Sequence, residues 1–338
     1  MSDKVIIIAE AGVNHNGDYE LAKRMVRAAA SAGADYVKFQ TAVPELVISE
    51  IAPKAEYQKE TTGGAESQLE MCRRIHLPLT DYEKLARLCR EEGIGFMSTP
   101  FDLVSIDCLA PLDMDFWKIP SGEITNLPYL RKIASQKGKI ILSTGMSELK
   151  EVKDAVAVLT HNGKSLNDIY LLHCTTQYPT PFEAVNLRAM ETLRSLSPAA
   201  VGYSDHTVGI EIPIAAVAMG ARIIEKHFTL DKSMEGPDHR ASLDPDELAA
   251  MVSAIRKVEA AMGDGVKTVA EAERPNITIA RKSIVASRDI KAGELLTEEN
   301  ITTKRPGNGI SPMHWDEVIG KQADRDYRRD ELIDGISF

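Results

Sequence analysis

Short apolar runs alternate with amphipathic stretches along most of the chain. The runs are VIIIAEAG (5–12), YVKFQTA (36–42), IGFMSTPF (94–101), DFWKIPSGE (115–123), KIILSTGM (139–146), IYLLHCTT (169–176), AAVGYSDHT (199–207) and ARIIEKHFTL (221–230). Runs of this length, rich in Ile, Val and Leu, predict strands buried on both faces. Between them, apolar residues recur at helical spacing. In YELAKRMVRAAASAGA, Leu21, Met25, Val26 and Ala29 fall on one face. The glycines of AGA and KGK supply the exits expected at helix C-termini. Eight strands alternating with helices predict a parallel sheet, and the count of eight favours a closed (β/α)8 TIM barrel over an open doubly wound sheet. No GxGxxG follows the first strand, which argues further against a dinucleotide-binding fold.

A second pattern overlies the first. Each run starts apolar and ends polar: AEAGVNH, KFQT, STPF, KIPSGE, STGM, HCTT, YSDHT, EKHF. Loops leave a barrel at the C-terminal ends of its strands, and the active site lies there. The eight polar ends therefore converge on one rim. The interval from 43 to 80 is long for a connection and is expected to carry a helix over AESQLEMCRRI, with the rest folding over the mouth as a partial lid. After about residue 263 the pattern changes. The expected organisation is a barrel over 1–264, a polar linker over 265–280 and a compact module over 281–338, in which DIKAGELLTEENI reads as a turn followed by a short helical piece.

Composition narrows the function classes. The formal net charge of −10 disfavours general binding to nucleic acid or to an anionic membrane, so an anionic substrate would need locally placed Lys and Arg. No apolar run is long enough for a transmembrane helix, and the N-terminal run is too short for a signal peptide. The four cysteines are scattered with no CxxC, as expected of reduced thiols in a cytoplasmic protein.

His206 ends the seventh run and His227 the eighth. Adjacent strand ends lie about 5 Å apart, so the two imidazoles can share one divalent ion, with water or substrate oxygen completing an open shell. Imidazole with oxygen ligands suits Mn²⁺, and Asp205 is expected to orient an imidazole N–H. Two hydrogen-bonded histidines at a polar rim are the alternative. Lys38 and Lys118 interrupt runs that should be buried, and a buried ammonium needs an anionic partner. That partner is either a carboxylate such as Glu10 or Glu123, or a phosphate or carboxylate ligand. Thr99, Ser121, Ser143, Thr144 and Ser204 add hydroxyl donors, making an anion cradle without a P-loop. Glu10, Glu123 and Glu225 are candidate acids or bases, Glu123 foremost because PSG should present it to the mouth. Asn14, His15 and Asn16 either line the rim or serve turn chemistry, with Asp18 as an N-cap. Arg305 sits in an exposed RPGNG loop.

Ten segments in order resemble the bacterial sialic-acid synthases: AEAGVNHNGD, VKFQT, STPFD, KIPSGE, ILSTGM, LLHCTTQYPTP, GYSDHT, EKHFTL, GPDH and TKRPGNG. The resemblance runs from about residue 4 to the end and implies a (β/α)8 barrel followed by a small antifreeze-like (SAF) domain. It implies condensation of phosphoenolpyruvate with an open-chain N-acetylmannosamine-type sugar, with release of phosphate. It assigns Glu123 and Glu10 to catalysis. It assigns Lys38, Gln40, Thr99, Lys118, Ser121, Ser143 and Ser204 to phosphoenolpyruvate, and Tyr178, Asp238, Thr176 and Arg305 to the sugar. Arg305 would come from the partner subunit of a homodimer with swapped SAF domains. His206 and His227 would hold the metal, Mn²⁺ first, with Mg²⁺ or Co²⁺ as alternatives. N-acetylneuraminate is the product expected first. Some neuraminate synthases carry Asn at the position of Thr176, so TTQYPTP leaves open N,N'-diacetyllegionaminate, made from 2,4-diacetamido-2,4,6-trideoxymannose. A metal-dependent hydrolase on the same barrel is a more distant alternative.

Overall fold

The computed structural model describes residues 4–63 and 65–337. The chain divides into two compact units, Met1–Gly263 and Asp264–Phe338. In the first, eight strands form one parallel sheet: β1 (Ile6–Gly12), β2 (Tyr36–Thr41), β3 (Gly95–Pro100), β4 (Phe116–Ile119), β5 (Lys139–Ser143), β6 (Ile169–His173), β7 (Ala200–Asp205) and β8 (Ile223–His227). The order is β3-β2-β1-β8-β7-β6-β5-β4, with β3 and β4 packed beside each other where the barrel nearly closes.

The two-residue period of each strand sorts the side chains. Ile7, Val37, Trp117, Ile140, Leu171, Val201 and Ile224 face outward and pack under the helices. Ile8, Met97, Phe116, Ile141, Tyr170, Leu172 and Ile223 face inward and fill the lower barrel. One or two pleats higher, the inward positions become Glu10, Lys38, Thr99, Lys118, Ser143, Ser204 and Glu225. The core is thus apolar at the base and ionic at the top.

The first helix (Tyr19–Ser31) is capped by Asp18, whose Oδ1 accepts from the N–H groups of Glu20 and Leu21. It buries Ala22, Met25, Val26 and Ala29, while Leu21, expected on this face, is only half-buried. The expected face is rotated by one residue, which brings the small Ala22 against the barrel. Gly33 and Gly138 take positive φ at the expected exits. Segment 43–80 carries three helices: Pro44–Val47, Glu56–Thr62 and Gln68–Ile75. Ser67 and Glu70 make a reciprocal capping box on the third. Buried Lys54 ties the segment together by donating to Thr62, the Gly63 carbonyl and Glu66.

In the second unit, β9 (Ser283–Ala286) pairs antiparallel with β10 (Ile301–Lys304). Its core gathers Ile284, Ile290, Leu296, Ile301, Val318, Tyr327 and Ile333. The stretch 265–280 contains the helix Arg274–Ala280. DIKAGELLTEENI does not hold the expected helical piece. The Asn300 side chain accepts from the Thr297 N–H and closes a single turn, after which the chain enters β10.

Candidate active site

A cavity of about 440 Å³ opens at the C-terminal ends of the strands. Every barrel strand or the loop that follows it contributes a wall: Glu10, Lys38, Gln40, Thr99, Lys118, Ser121, Ser143, Thr176, Tyr178, Ser204, His206, Glu225 and His227. Ala55, Gln58 and Gln68 close one side from segment 43–80. The convergence follows from parity. Residues spaced by two on each strand point inward, and the parallel register brings their ends level.

The two lysines are answered from within. Lys38 Nζ lies 2.6 Å from Glu10 Oε2 and 3.7 Å from Glu225 Oε2, and donates to Thr99 Oγ1 at 3.0 Å. Lys118 Nζ donates to both oxygens of Glu225, at 2.8 and 3.0 Å. Ser204 Oγ donates to Glu225 Oε1, and Gln40 Nε2 to Glu10 Oε1. Glu225, not Glu123, is therefore the second carboxylate partner of the lysines. Burial would raise the Glu225 carboxyl, but Lys118 and Lys38 outweigh it and hold the group below the usual carboxylate range. Burial raises Glu10 despite Lys38. Burial lowers Lys118, whereas for Lys38 the attraction of Glu10 and Glu225 overcomes burial and raises the ammonium. The Ser143 hydroxyl is buried, lines the cavity and has no hydrogen-bond partner among the described residues. It is a donor without an acceptor.

His206 and His227 face each other with ring centroids 5.5 Å apart, and the Tyr178 ring lies 4.1 Å from the first and 5.6 Å from the second. His206 Nδ1 lies 2.6 Å from the Thr175 carbonyl, which assigns the proton to Nδ1 and leaves the Nε2 lone pair free. Burial lowers His206 to about 4 and His227 further below the ordinary range, so both imidazoles are neutral and fit to ligate. His227 Nδ1 is buried without a hydrogen-bond partner. No cluster of three or more His, Cys, Asp or Glu suited to a metal occurs among the described residues. The pair of neutral imidazoles fits an ion whose remaining positions stay open to water or substrate; open positions distinguish catalytic from structural sites, although two protein ligands are one fewer than such sites usually have.

Other expected site residues are not among those that line this cavity. The Glu123 carboxylate accepts from Asn126 Nδ2 at 2.6 Å on a 3-10 turn (Ser121–Glu123) and is not among the lining residues; Ser121 and Gly122 are. The PSG turn thus presents Ser121, and Glu123 sits half-buried with its carboxyl raised by burial. Asp238 is buried, and burial and Glu10 push its carboxyl up to about 7. Arg305 is exposed in the second unit, donating from Nε to the Ala280 carbonyl. Asp205 does not orient an imidazole: being one residue out of phase with His206, it points outward to Lys226. Thr144 donates to the Leu172 carbonyl. Asn14 and Asn16 donate to the carbonyls of Phe228 and Glu235, tying the loop after β1 to the chain that follows β8 rather than lining the cavity. Gln58 and Gln68 had no sequence signal beyond the length of their segment. Cys174, at the end of β6, faces Ser121 Oγ at 3.3 Å. A Cβ at Gly145 would come within about 3 Å of Thr176, Ser121 and Cys174, so a larger residue there would displace side chains that line the mouth.

Comparisons with known proteins agree with this fold. The family model described as NeuB family matches residues 25–267, and the one described as SAF domain matches residues 281–335. An N,N'-diacetyllegionaminic acid synthase of Campylobacter jejuni is 55% identical, with 98% of this chain and 99% of the relative covered. A second such synthase, from Legionella pneumophila, is 48% identical over 94% of this chain and 89% of the relative. The crystal structure of an N-acetylneuraminic acid synthetase from Leptospira borgpetersenii, in complex with citrate, superposes with a TM-score of 0.72 at 34% identity, covering 81% of this chain and 90% of that one. N-acetylneuraminate, expected first, thus has weaker support than N,N'-diacetyllegionaminate.

Proposed function

Starting from the NeuB family, to which this chain belongs, we propose that it condenses phosphoenolpyruvate with 2,4-diacetamido-2,4,6-trideoxymannose to give N,N'-diacetyllegionaminate and phosphate. The observation that carries the reading is one mouth holding two buried lysines, an unpartnered serine hydroxyl and a facing pair of neutral histidines. The 55% identity to an N,N'-diacetyllegionaminic acid synthase over almost the whole of both chains supports the choice of sugar.

Lys38, Lys118, Ser121, Ser143, Ser204 and Thr99 hold phosphoenolpyruvate, with Gln40 beside Glu10. The two ammonium groups are already matched by Glu10 and Glu225, so a further positive charge would strengthen the hold on a trianion bound here. His206 and His227 would hold a divalent ion, Mn²⁺ by preference, which when bound would add that charge and Lewis acidity toward the sugar aldehyde. Carbon 3 of phosphoenolpyruvate forms a bond to the aldehyde carbon, and the oxocarbenium-like centre at carbon 2 takes up water. The tetrahedral adduct loses phosphate by C–O cleavage. Glu10, raised by burial, accepts a proton from the attacking water. Glu123 serves the sugar at the rim. Tyr178, Thr176 and Asp238 contact the sugar, and Arg305 of a second copy reaches it in a homodimer with exchanged SAF domains. The reaction runs in the cytoplasm, where phosphoenolpyruvate is available. No described helix is long and apolar enough to cross a membrane.

Continuous phosphate release tests this reading. It should require both substrates, stop with chelator and resume with Mn²⁺. Phosphate release without any sugar would favour a hydrolase and sink the proposal.

A further inference from the structure

Lys226 and Asp205 form a fully buried ion pair that does not line the cavity at the mouth. Lys226 Nζ lies 2.5 Å from Asp205 Oδ2 and donates to the Thr207 carbonyl; both side chains have no solvent exposure. The pair lies outside the barrel wall, under the helices, because residues 205 and 226 are out of phase with the inward positions 204, 206, 225 and 227.

Stability does not explain it. Withdrawing two charges from water is costly, and a well-packed apolar pair of similar volume is often as good or better. A buried ion pair is best attested as a device that fixes registry. Here the registry is specific: Asp205 and Lys226 are direct cross-strand partners on β7 and β8, and the next residue on each strand is His206 and His227. A slip of one residue on either strand would turn its imidazole away from the mouth.

The pair also clamps the chain beyond His206. Asp205 accepts from the Thr207 N–H and hydroxyl, and Lys226 takes the Thr207 carbonyl. His206 is thereby held from both sides in sequence, while its own carbonyl accepts from the Thr180 N–H. Glu225, the counter-ion of Lys118, is the residue before Lys226 and is carried by the same strand.

We propose that Asp205 and Lys226 are positioning residues that set the separation of His206 and His227, and so the affinity of the mouth for a divalent ion. The proposal rests on the reading that these histidines share an ion. The variant Asp205→Asn/Lys226→Met removes both charges together and leaves no orphaned one, so folding is retained. Free Mn²⁺ is titrated by electron paramagnetic resonance against wild type and variant, and phosphoenolpyruvate binding is measured without metal. The expected result is Mn²⁺ affinity weakened roughly 10- to 100-fold, with metal-free phosphoenolpyruvate binding unchanged. General loosening of the barrel would weaken both. Lys226→Arg, which keeps the charge in a different shape, is titrated the same way and gives the answer where the double variant does not fold. Mn²⁺ affinity equal to wild type in the folded variant overturns the proposal. Absence of Mn²⁺ binding by the wild type overturns the metal reading beneath it as well, and the two failures are told apart by that wild-type titration.

Discussion

Replacing Glu225 with Gln tests the ionic layer most sharply. The substitution keeps the shape and removes the charge that answers Lys118 at 2.8 and 3.0 Å and Lys38 at 3.7 Å. Lys38 keeps Glu10 and Thr99. Lys118 has no other carboxylate within ion-pair distance among the described residues. One buried ammonium is thus left without its counter-charge, which costs about 3–5 kcal/mol. At about 2–4 °C per kcal/mol for a unit of this size, Tm falls by roughly 6–20 °C. The sign with pH follows from the lowered folded-state pKa of Glu225. Its contribution is complete above the unfolded value of about 4.3 and is lost as pH falls toward the folded value, so wild type and variant converge in acid. The trianionic substrate supplies the missing charge, so phosphoenolpyruvate raises the Tm of the variant more than that of the wild type; a ligand at 100 times its Kd contributes about 2.7 kcal/mol. Differential scanning calorimetry at pH 7.5 and near pH 3, with and without phosphoenolpyruvate, reads all three effects. A variant with wild-type Tm and wild-type response to phosphoenolpyruvate would refute the reasoning.

Three further outcomes follow from the same geometry. Asp238→Asn should gain stability relative to wild type as pH rises from 4 to 7, because a carboxyl held up to about 7 by burial keeps its proton in the folded state and loses it in the unfolded one; the full effect is about 4 kcal/mol, read from urea midpoints at the two pH values. Ser143→Ala should leave Tm within about 1 °C, since its hydroxyl bonds to nothing among the described residues, and should raise KM for phosphoenolpyruvate about tenfold by removing one hydrogen bond to an anion; an unchanged KM excludes Ser143 from the substrate. His227→Ala should abolish Mn²⁺ binding by calorimetry and bring turnover to background while retaining the far-ultraviolet circular dichroism of the barrel, and Mn²⁺ binding of wild-type strength would remove His227 from the metal site.

The barrel was legible because two independent periodicities agree. Each apolar run predicted a strand found within a few residues of its bounds, and the shared polar ends placed the mouth. Strand parity, applied to EKH, would also have separated Glu225 and His227 from Lys226. Read only as a cluster of titratable residues, that triplet hides the division between a mouth and an outer wall. Lys38 and Lys118 advertised themselves as charges in apolar runs, but their partner Glu225 lies on a strand distant in sequence, and only barrel closure brings it near. Glu123 stands off the cavity lining for a local reason: PSGE closes a 3-10 turn that presents Ser121 and Gly122, and Asn126 donates to the carboxylate. Gln58 and Gln68 belong to a segment whose course is set by packing and by Lys54, with no period to reveal it. In the C-terminal unit, strands of four residues and isolated bridges leave too little periodicity to tell a turn from a helical piece.

The central claim is that this mouth joins phosphoenolpyruvate to a diacetamido sugar. Mass spectrometry of the product formed with Mn²⁺ from phosphoenolpyruvate and an equimolar mixture of 2,4-diacetamido-2,4,6-trideoxymannose and N-acetylmannosamine tests it directly. The account predicts N,N'-diacetyllegionaminate as the dominant product; a mixture converted to N-acetylneuraminate alone, or not condensed at all, would contradict it.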